Sequence, residues 1–340
     1  MSTILRRTAT LAARLASSRH GTILCFHGVE RSIPIAPTSA HVSLEHFRET
    51  IDVACAAAEA VTLREMIGRR TAGKSTAGLF AVTFDDAYLS LGTPPVREVL
   101  KGGTLPITIF VVSGASEGGS PFWWDRIETA QRLVAPDAWS DFERAIGVPD
   151  GYRTAASLAY GVLRPVRQWV LQQHAGRWPR EAAAALDAVE AQAGRPPGPR
   201  AMNFDELDTM VRHGALDIGV HTASHPVLPL LGDDEARWEI ESSYRALIER
   251  FPSTVPWLAA PFGLYDARTS RLAREAGLQG ILNLHAFTLA QSSPIHGLPR
   301  VNVMETAPPW KLALRLSRFS DMIWKPRAGV VDFPPAPGAD

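Results

Sequence analysis

The stretch Leu79 to Tyr88, LFAVTFDDAY, is a run of apolar and β-branched residues that ends on two adjacent carboxylates, Asp85 and Asp86. Such a run reads as a strand buried on both faces, and one that stops on paired acids needs a cation, a proton or open water to keep the two charges together. At the C-terminal end of a strand in an α/β protein this need points to a functional site; read alone, the same pair also fits a solvated turn that caps the next helix. A second stretch, Leu216 to His225 (LDIGVHTASH), decides between the two. It is again a mostly apolar strand that stops at a polar group, and His221 and His225, four apart, can aim both imidazoles at one point. One carboxylate with two histidines is a metal-ligand set, and it leaves positions to water, as catalytic sites do.

Around these stretches, strand patterns alternate with helical ones, and Asp85, Asp86, His221, Phe262 and His27 all fall just after strands. That alternation is the signature of a parallel α/β barrel with its site on the C-terminal rim. His27 follows the first strand, Thr22 to Phe26, and fits either a core histidine or a site residue. Ser43 caps a helix, Thr62 with Glu65 forms a capping box, and Asn203 with Glu206 starts the helix that leads into the strand before His221. Between Val112 and the helix that follows Asp125, SGASEGGSPFWWDR reads as a flexible loop whose Trp123 and Trp124 either stack on sugar faces or pack beneath that helix.

At the acid pair and the histidine pair the sequence resembles the polysaccharide deacetylases of carbohydrate esterase family four, which share the NodB homology domain. The family's first motif, TFDD followed by Gly, stands here as Thr83 to Ala87. Its second motif, His, then Ser or Thr, two residues, then His, stands as His221 to His225. The resemblance continues through ILCFHGV, PFWWD, LAAPFG and LPRVNV, and so spans roughly residues 22 to 303. It implies a distorted parallel (β/α)7-type barrel that hydrolyses N-acetyl groups of an amino-sugar polysaccharide or glycan and releases acetate. On this reading Asp86, His221 and His225 hold a divalent metal ion, zinc first with cobalt or iron as alternatives. Asp85 is the general base, the Phe262 N–H in the turn Pro261-Phe262-Gly263 faces the oxyanion, and Trp123, Trp124 and Arg300 border the substrate.

The chain departs from the family pattern at several points. Ala87 replaces the usual Gly after the acid pair, which requires φ below zero there. Ala259 stands where many members carry an Arg that orients the base, a task open to Arg300. The late Leu-x-His motif is not found, so His27, His285, His296 or water is left to protonate the amine. Two other readings remain: an amide or imide hydrolase for a small nitrogenous substrate, and a catalytically weak carbohydrate-binding protein.

Composition sets the outer bounds. A chain of 340 residues with 46% hydrophobic residues buries a large core, and a net charge of zero without a long basic run argues against nucleic acid as a partner. Cys25 and Cys55 read as buried free thiols. Residues 1–20 hold four arginines and no acid on an amphipathic pattern, which suits docking on the domain or contact with an anionic membrane surface; with no readable export signal, the expected location is the cytoplasm. The deacetylase domain is then expected over 21–310, with a helical insertion at about 133–200 and a C-terminal helix and tail over 311–340. GRRTAGKS, Gly68 to Ser75, matches a phosphate-loop pattern but lacks the strand before it and the helix after it, so it reads as a chance match.

Overall fold

The computed structural model describes residues 20–31, 41–150, 152, 165–194, 199–214, 216–284, 289 and 293–317. The amphipathic segment up to residue 19, the loop at 33–37, parts of 133–200, His285 and the chain from 318 onward lie outside the described residues.

The strands are β1 (Thr22–Phe26), β2 (Gly28–Glu30), β3 (His41–Ser43), β4 (Glu59–Ala60), β5 (Leu79–Asp85), β6 (Ile107–Val111), β7 (Leu216–Val220), β8 (Trp257–Ala259), β9 (Gly280–Leu282), β10 (His296–Leu298) and β11 (Val301–Asn302). The main sheet runs β10-β9-β8-β7-β6-β5-β1-β11, every pair parallel, with β4 beside β5; β2 and β3 pair separately. β10 and β11 occupy opposite ends of this order, yet only Pro299 and Arg300 separate them in the chain. The two edges must therefore meet, so the sheet is curled. A single strand from His296 to Asn302, interrupted where Pro299 has no N–H to offer the ladder, spans the gap. Counted once, it joins β1 and β5 to β9 as the seventh strand of a distorted (β/α)7-type barrel. The stretch LPRVNV is thereby divided between the two short pieces.

Side-chain alternation sorts the wall into two faces. Ile23, Ala81, Phe110, Trp257, Ala259, Leu282 and Leu298 form one cluster inside the curl. Leu24, Phe26, Phe80, Val82, Phe84, Ile109, Ile218 and Leu258 face the surrounding helices. Gly219 on the inner face makes room for Phe110: a Cβ there would come within 2.5 Å of its ring.

The helices are α1 (Leu44–Ala57), α2 (Leu63–Thr71), α3 (Pro94–Val99), α4 (Ser113–Gly118), α5 (Trp123–Leu133), α6 (Pro136–Ala145), α7 (Pro165–Gln173), α8 (Ala183–Ala193), α9 (Phe204–Arg212), α10 (Asp233–Arg250), α11 (Ala267–Glu275) and α12 (Pro309–Arg315). Ser43, Thr62 and Asn203 cap α1, α2 and α9, and Asn203 and Glu206 form a reciprocal capping box. Gly68 lies inside α2 and strand β5 follows, the reverse of the order a phosphate loop needs. The loop predicted from Ser113 is instead α4, ended by left-handed Gly119. The N–H groups of Ser113 and Gly114 donate to the carbonyls of Thr222 and Ala223 (3.2 and 2.9 Å), and this docking outweighs the low helix propensity of a glycine-rich segment. Helices α5 to α8 enclose their own apolar cluster around Ile127, Phe142, Trp169 and Leu186. Among the described residues no helix is long and apolar enough to cross a membrane.

Candidate active site

The inner face of the barrel carries Cys25 from β1, Thr83 and Asp85 from β5, and His221 just past β7, with His27 just past β1. Cys25, His27 and Asp85 bring potential ligand atoms within 4.8 Å of one another, and so do Asp86, His221 and His225. Six residues from three strand ends thus form one rim cluster.

Asp85 is fully compensated. Arg300 clamps it from below, Nη1 to Oδ1 and Nη2 to Oδ2, both at 2.7 Å. The guanidinium also donates to Thr83 Oγ1 (3.3 Å) and to the Asn283 carbonyl (3.2 Å) and sits 5.4 Å from the centre of the Phe110 ring. Burial opposes charge on Asp85, but the Arg300 guanidinium more than offsets it and holds the carboxyl well below the usual carboxylate range. The Cys25 thiol donates to Asp85 Oδ2 at 3.5 Å; burial pushes its pKa up, which makes it an inert donor. Arg300 is 0% exposed, so of its two expected places the one at the substrate is corrected; it stands behind Asp85 and orients its carboxylate, in line with the task left open to it by Ala259.

Asp86 has the opposite surroundings. Its Oδ1 is buried without a hydrogen-bond partner and lies 3.6 Å from His221 Nε2 and 3.6 Å from His225 Nε2. Burial, then the charges of Asp85 and Asp125, push its pKa well above the usual value. His221 Nδ1 lies 2.8 Å from the Ala259 carbonyl, a pure acceptor, so Nδ1 carries the proton and Nε2 presents a lone pair. Burial keeps both imidazoles neutral, with His225 further depressed by His221. The His221 lone pair, the His225 Nε2 and an unpartnered carboxyl oxygen therefore converge on one point. Bonds of about 2.0–2.2 Å to a tetrahedral cation set ligand atoms about 3.3–3.6 Å apart, so the observed spacing and donor chemistry fit a divalent ion.

Backbone strain concentrates here. Asp86 and Ala87 have φ of 67° and 55°, and Thr222, His225 and Phe262 have 66°, 61° and 57°. The requirement for negative φ at Ala87 is thus overturned: the turn after β5 is left-handed over two residues, and the methyl of Ala87 is held in the core with its carbonyl accepting from Met202 N–H (2.8 Å). The histidine loop is held from behind by Glu239 of α10, 0% exposed, which accepts from the N–H groups of Ala223 and Ser224 (3.0 and 2.8 Å). Thr222 Oγ1 accepts from His225 N–H (3.0 Å).

A buried polar chain underlies His225. The Trp124 ring packs 4.7 Å from the His225 ring and stacks on Phe122, and its Nε1 donates to Tyr88 (2.9 Å). The Tyr88 hydroxyl donates to Asp125 Oδ2 (2.6 Å), Asp125 Oδ1 lies 3.0 Å from His41 Nε2, and His41 Nδ1 lies 3.4 Å from Glu30. Burial works against charge on His41, but Asp125 and Glu30 outweigh it and raise its pKa to about 10. At 5% exposure Trp124 offers no free face to a sugar, so its expected substrate contact is corrected to packing. Trp123 stays half-buried, with Nε1 donating to the Gly176 carbonyl (2.9 Å).

Phe262 follows β8 in the expected turn, its ring 4.5 Å from that of His225. Of the candidate acids, His27 lies in the cluster, with burial lowering its pKa to about 4. His296 opens β10 and so sits at the N-terminal end of a strand, away from the rim. His285 lies outside the described residues.

Residues 167–281 match the family model described as polysaccharide deacetylase, a segment with His221, His225 and Phe262 but without Asp85 and Asp86. No curated protein matches the chain by sequence. Among solved structures, a deacetylase of Streptococcus pyogenes, PplD, in complex with acetate, is similar at 15% identity and a TM-score of 0.57, covering 88% of this chain and 98% of that one. IcaB from Ammonifex degensii is similar at 19% identity and a TM-score of 0.56, with 88% and 98% covered. BA0330 of Bacillus anthracis, described as a putative polysaccharide deacetylase, is similar at 13% identity and 0.53, with 88% and 69% covered. At such identities the likeness is one of fold. The family segment and the likeness of fold agree with the resemblance carried by the motifs.

Proposed function

From a polysaccharide deacetylase segment on a polysaccharide deacetylase fold as premise, we propose that this protein removes N-acetyl groups from an amino-sugar glycan by metal-assisted hydrolysis. The observation that carries the reading is the unpartnered Asp86 oxygen facing two neutral imidazole nitrogens, one residue from a carboxylate that Arg300 keeps ionised. Asp86, His221 and His225 would hold a divalent ion, zinc first and cobalt or iron as alternatives, which supplies polarisation of the acetamido carbonyl and a lowered pKa of water.

The protein's own groups do the rest. Asp85, held charged and oriented, accepts the proton of the attacking water. The Phe262 N–H steadies the negative charge that develops on the carbonyl oxygen. His27, neutral at rest, takes the proton from Asp85 and delivers it to the leaving nitrogen, so that one water yields acetate and a free amine. Acetate release from a panel of acetylated glycans, with zinc, cobalt or iron added, tests the reading. Asp85→Asn is expected to keep metal and sugar binding while acetate release falls by on the order of 10²- to 10⁴-fold. Undiminished release would remove Asp85 from the role of base.

A further inference from the structure

The histidine loop is strained and depends on groups outside it to keep its shape. Thr222 and His225 both lie in the left-handed region, and Glu239 Oε2 fixes the two residues between them by accepting from the N–H groups of Ala223 and Ser224. Its other oxygen, Oε1, accepts from the Ser224 hydroxyl and from Arg177 Nη2 at 2.9 Å. Glu239 is fully buried, so its charge needs a counter-charge, and the cation that meets it is Arg177, 62 positions earlier in the helical layer. Arg177 belongs to a tight turn between α7 and α8 that reaches the site at two further points. Ala175 and Gly176 both turn left-handed there, at φ 49° and 78°. The Ala175 carbonyl accepts from the N–H of Val227, two residues past His225, at 2.7 Å. A Cβ on Gly176 would come within 2.9 Å of the Phe262 ring and 3.2 Å of Val227, so the glycine leaves room for Phe262 to lie against the His225 ring.

We propose that the turn His174 to Trp178 is a brace for the candidate metal ligands, with Arg177 as its positioning residue: by pairing with Glu239 from the helical layer, it keeps the loop from His221 to His225 in the shape that aims both imidazoles at one point. The proposal rests on the metal-assisted reading and adds to it a residue outside the ligand set. Without Arg177 a buried carboxylate keeps only neutral donors, which favours a rearrangement that lets water reach it. The loop that Glu239 holds moves with it, and the left-handed residues of that loop are free to relax. The hold is reciprocal, because an ion that fixes the loop must by linkage fix the turn as well. The helical layer thereby gains a part in the chemistry of the rim that its own apolar cluster does not announce. Arg177 also pairs with Glu235, one turn earlier on α10 and half exposed, which supplies an internal control.

The test uses the full chain with zinc and cobalt ions as probes. In Arg177→Met the zinc dissociation constant, read by competition with a chromophoric chelator, is expected to rise about tenfold, the low end of what losing a supporting bond behind a ligand costs. The absorption spectrum of the cobalt-loaded protein should change with it. Arg177→Lys returns the charge and is expected to recover most of the affinity, whereas Glu235→Gln, which removes only the exposed partner, should leave it unchanged. An equal loss in Glu235→Gln would assign the effect to the surface of α10 and overturn the proposal. In the wild-type chain, zinc is expected to slow hydrogen exchange at the Gly176 N–H, which donates to the Val170 carbonyl at 2.9 Å, and Arg177→Met to abolish that slowing. Unchanged zinc affinity and cobalt spectrum in Arg177→Met overturn the brace and leave the metal site standing; a wild-type chain that binds neither ion overturns both. Should Arg177→Met not fold, Arg177→Gln, which can still donate to Glu239 but lacks the charge, is read in the same way, with a rise of about threefold expected because a charge-assisted bond is roughly twice as strong as a neutral one.

Discussion

Asp85 and Asp86 are neighbours in the chain, both buried to within 2% exposure, and they lie in opposite electrostatic circumstances. Asp85 receives two charge-assisted hydrogen bonds from a guanidinium and one from a thiol. Asp86 leaves an oxygen unpartnered against two imidazole nitrogens. Protein groups alone complete the first and leave the second incomplete. Two acids side by side can therefore differ in state, because the alternating strand sends one inward to Arg300 and the left-handed turn sends the other toward the histidine loop.

Substitutions can break this contrast. Arg300→Met removes the counter-charge of a buried carboxylate and is expected to cost about 3–5 kcal/mol of unfolding free energy, read by urea denaturation. The double variant Arg300→Met with Asp85→Leu should recover most of that loss; equal instability in both would mean that Arg300 acts through packing. Zinc at about one hundred times its dissociation constant is expected to stabilise the wild-type chain by about 2.7 kcal/mol, with EDTA reversing the gain. Asp86→Asn should abolish that response. In metal-free protein the same Asp86→Asn should raise stability at neutral pH, by about 1–2 kcal/mol, because burying this carboxyl costs either its charge or the uptake of a proton. A loss there would show that Asp86 is already satisfied without an ion. The smallest effect belongs to Ala87→Gly, expected to gain about 1 kcal/mol by relieving a left-handed Ala, seen as a higher denaturation midpoint with an unchanged slope.

The same contrast explains what was legible. Asp85, Asp86, His221 and His225 stand out because a buried strand that stops on polar groups announces a rim, and barrel topology brings the ends of β5 and β7 together across β6. The conformation of Ala87 was not legible: residue type suggests negative φ, but the turn leaving β5 imposes 55°. The role of Arg300 depends on the break at Pro299 and on the curl that returns its guanidinium to β5, neither of which LPRVNV reveals. His41, Tyr88, Asp125 and Glu239 were missed because their bonds join separate elements; His41 and Asp125 are 84 positions apart. A faint signal existed in the acid that follows tandem tryptophans at the start of a helix, and in Glu239, an acid on the inner face of α10.

The interrupted strand that joins β10 to β11 carries Arg300 and is, among the described residues, the last strand in the chain. Until it arrives, a nascent chain already holds Asp85 and both histidines but has nothing to neutralise the carboxylate it must bury. Neutralisation of Asp85 and ring closure are then a single event, so a polypeptide stalled before residue 300 would be expected to lack both.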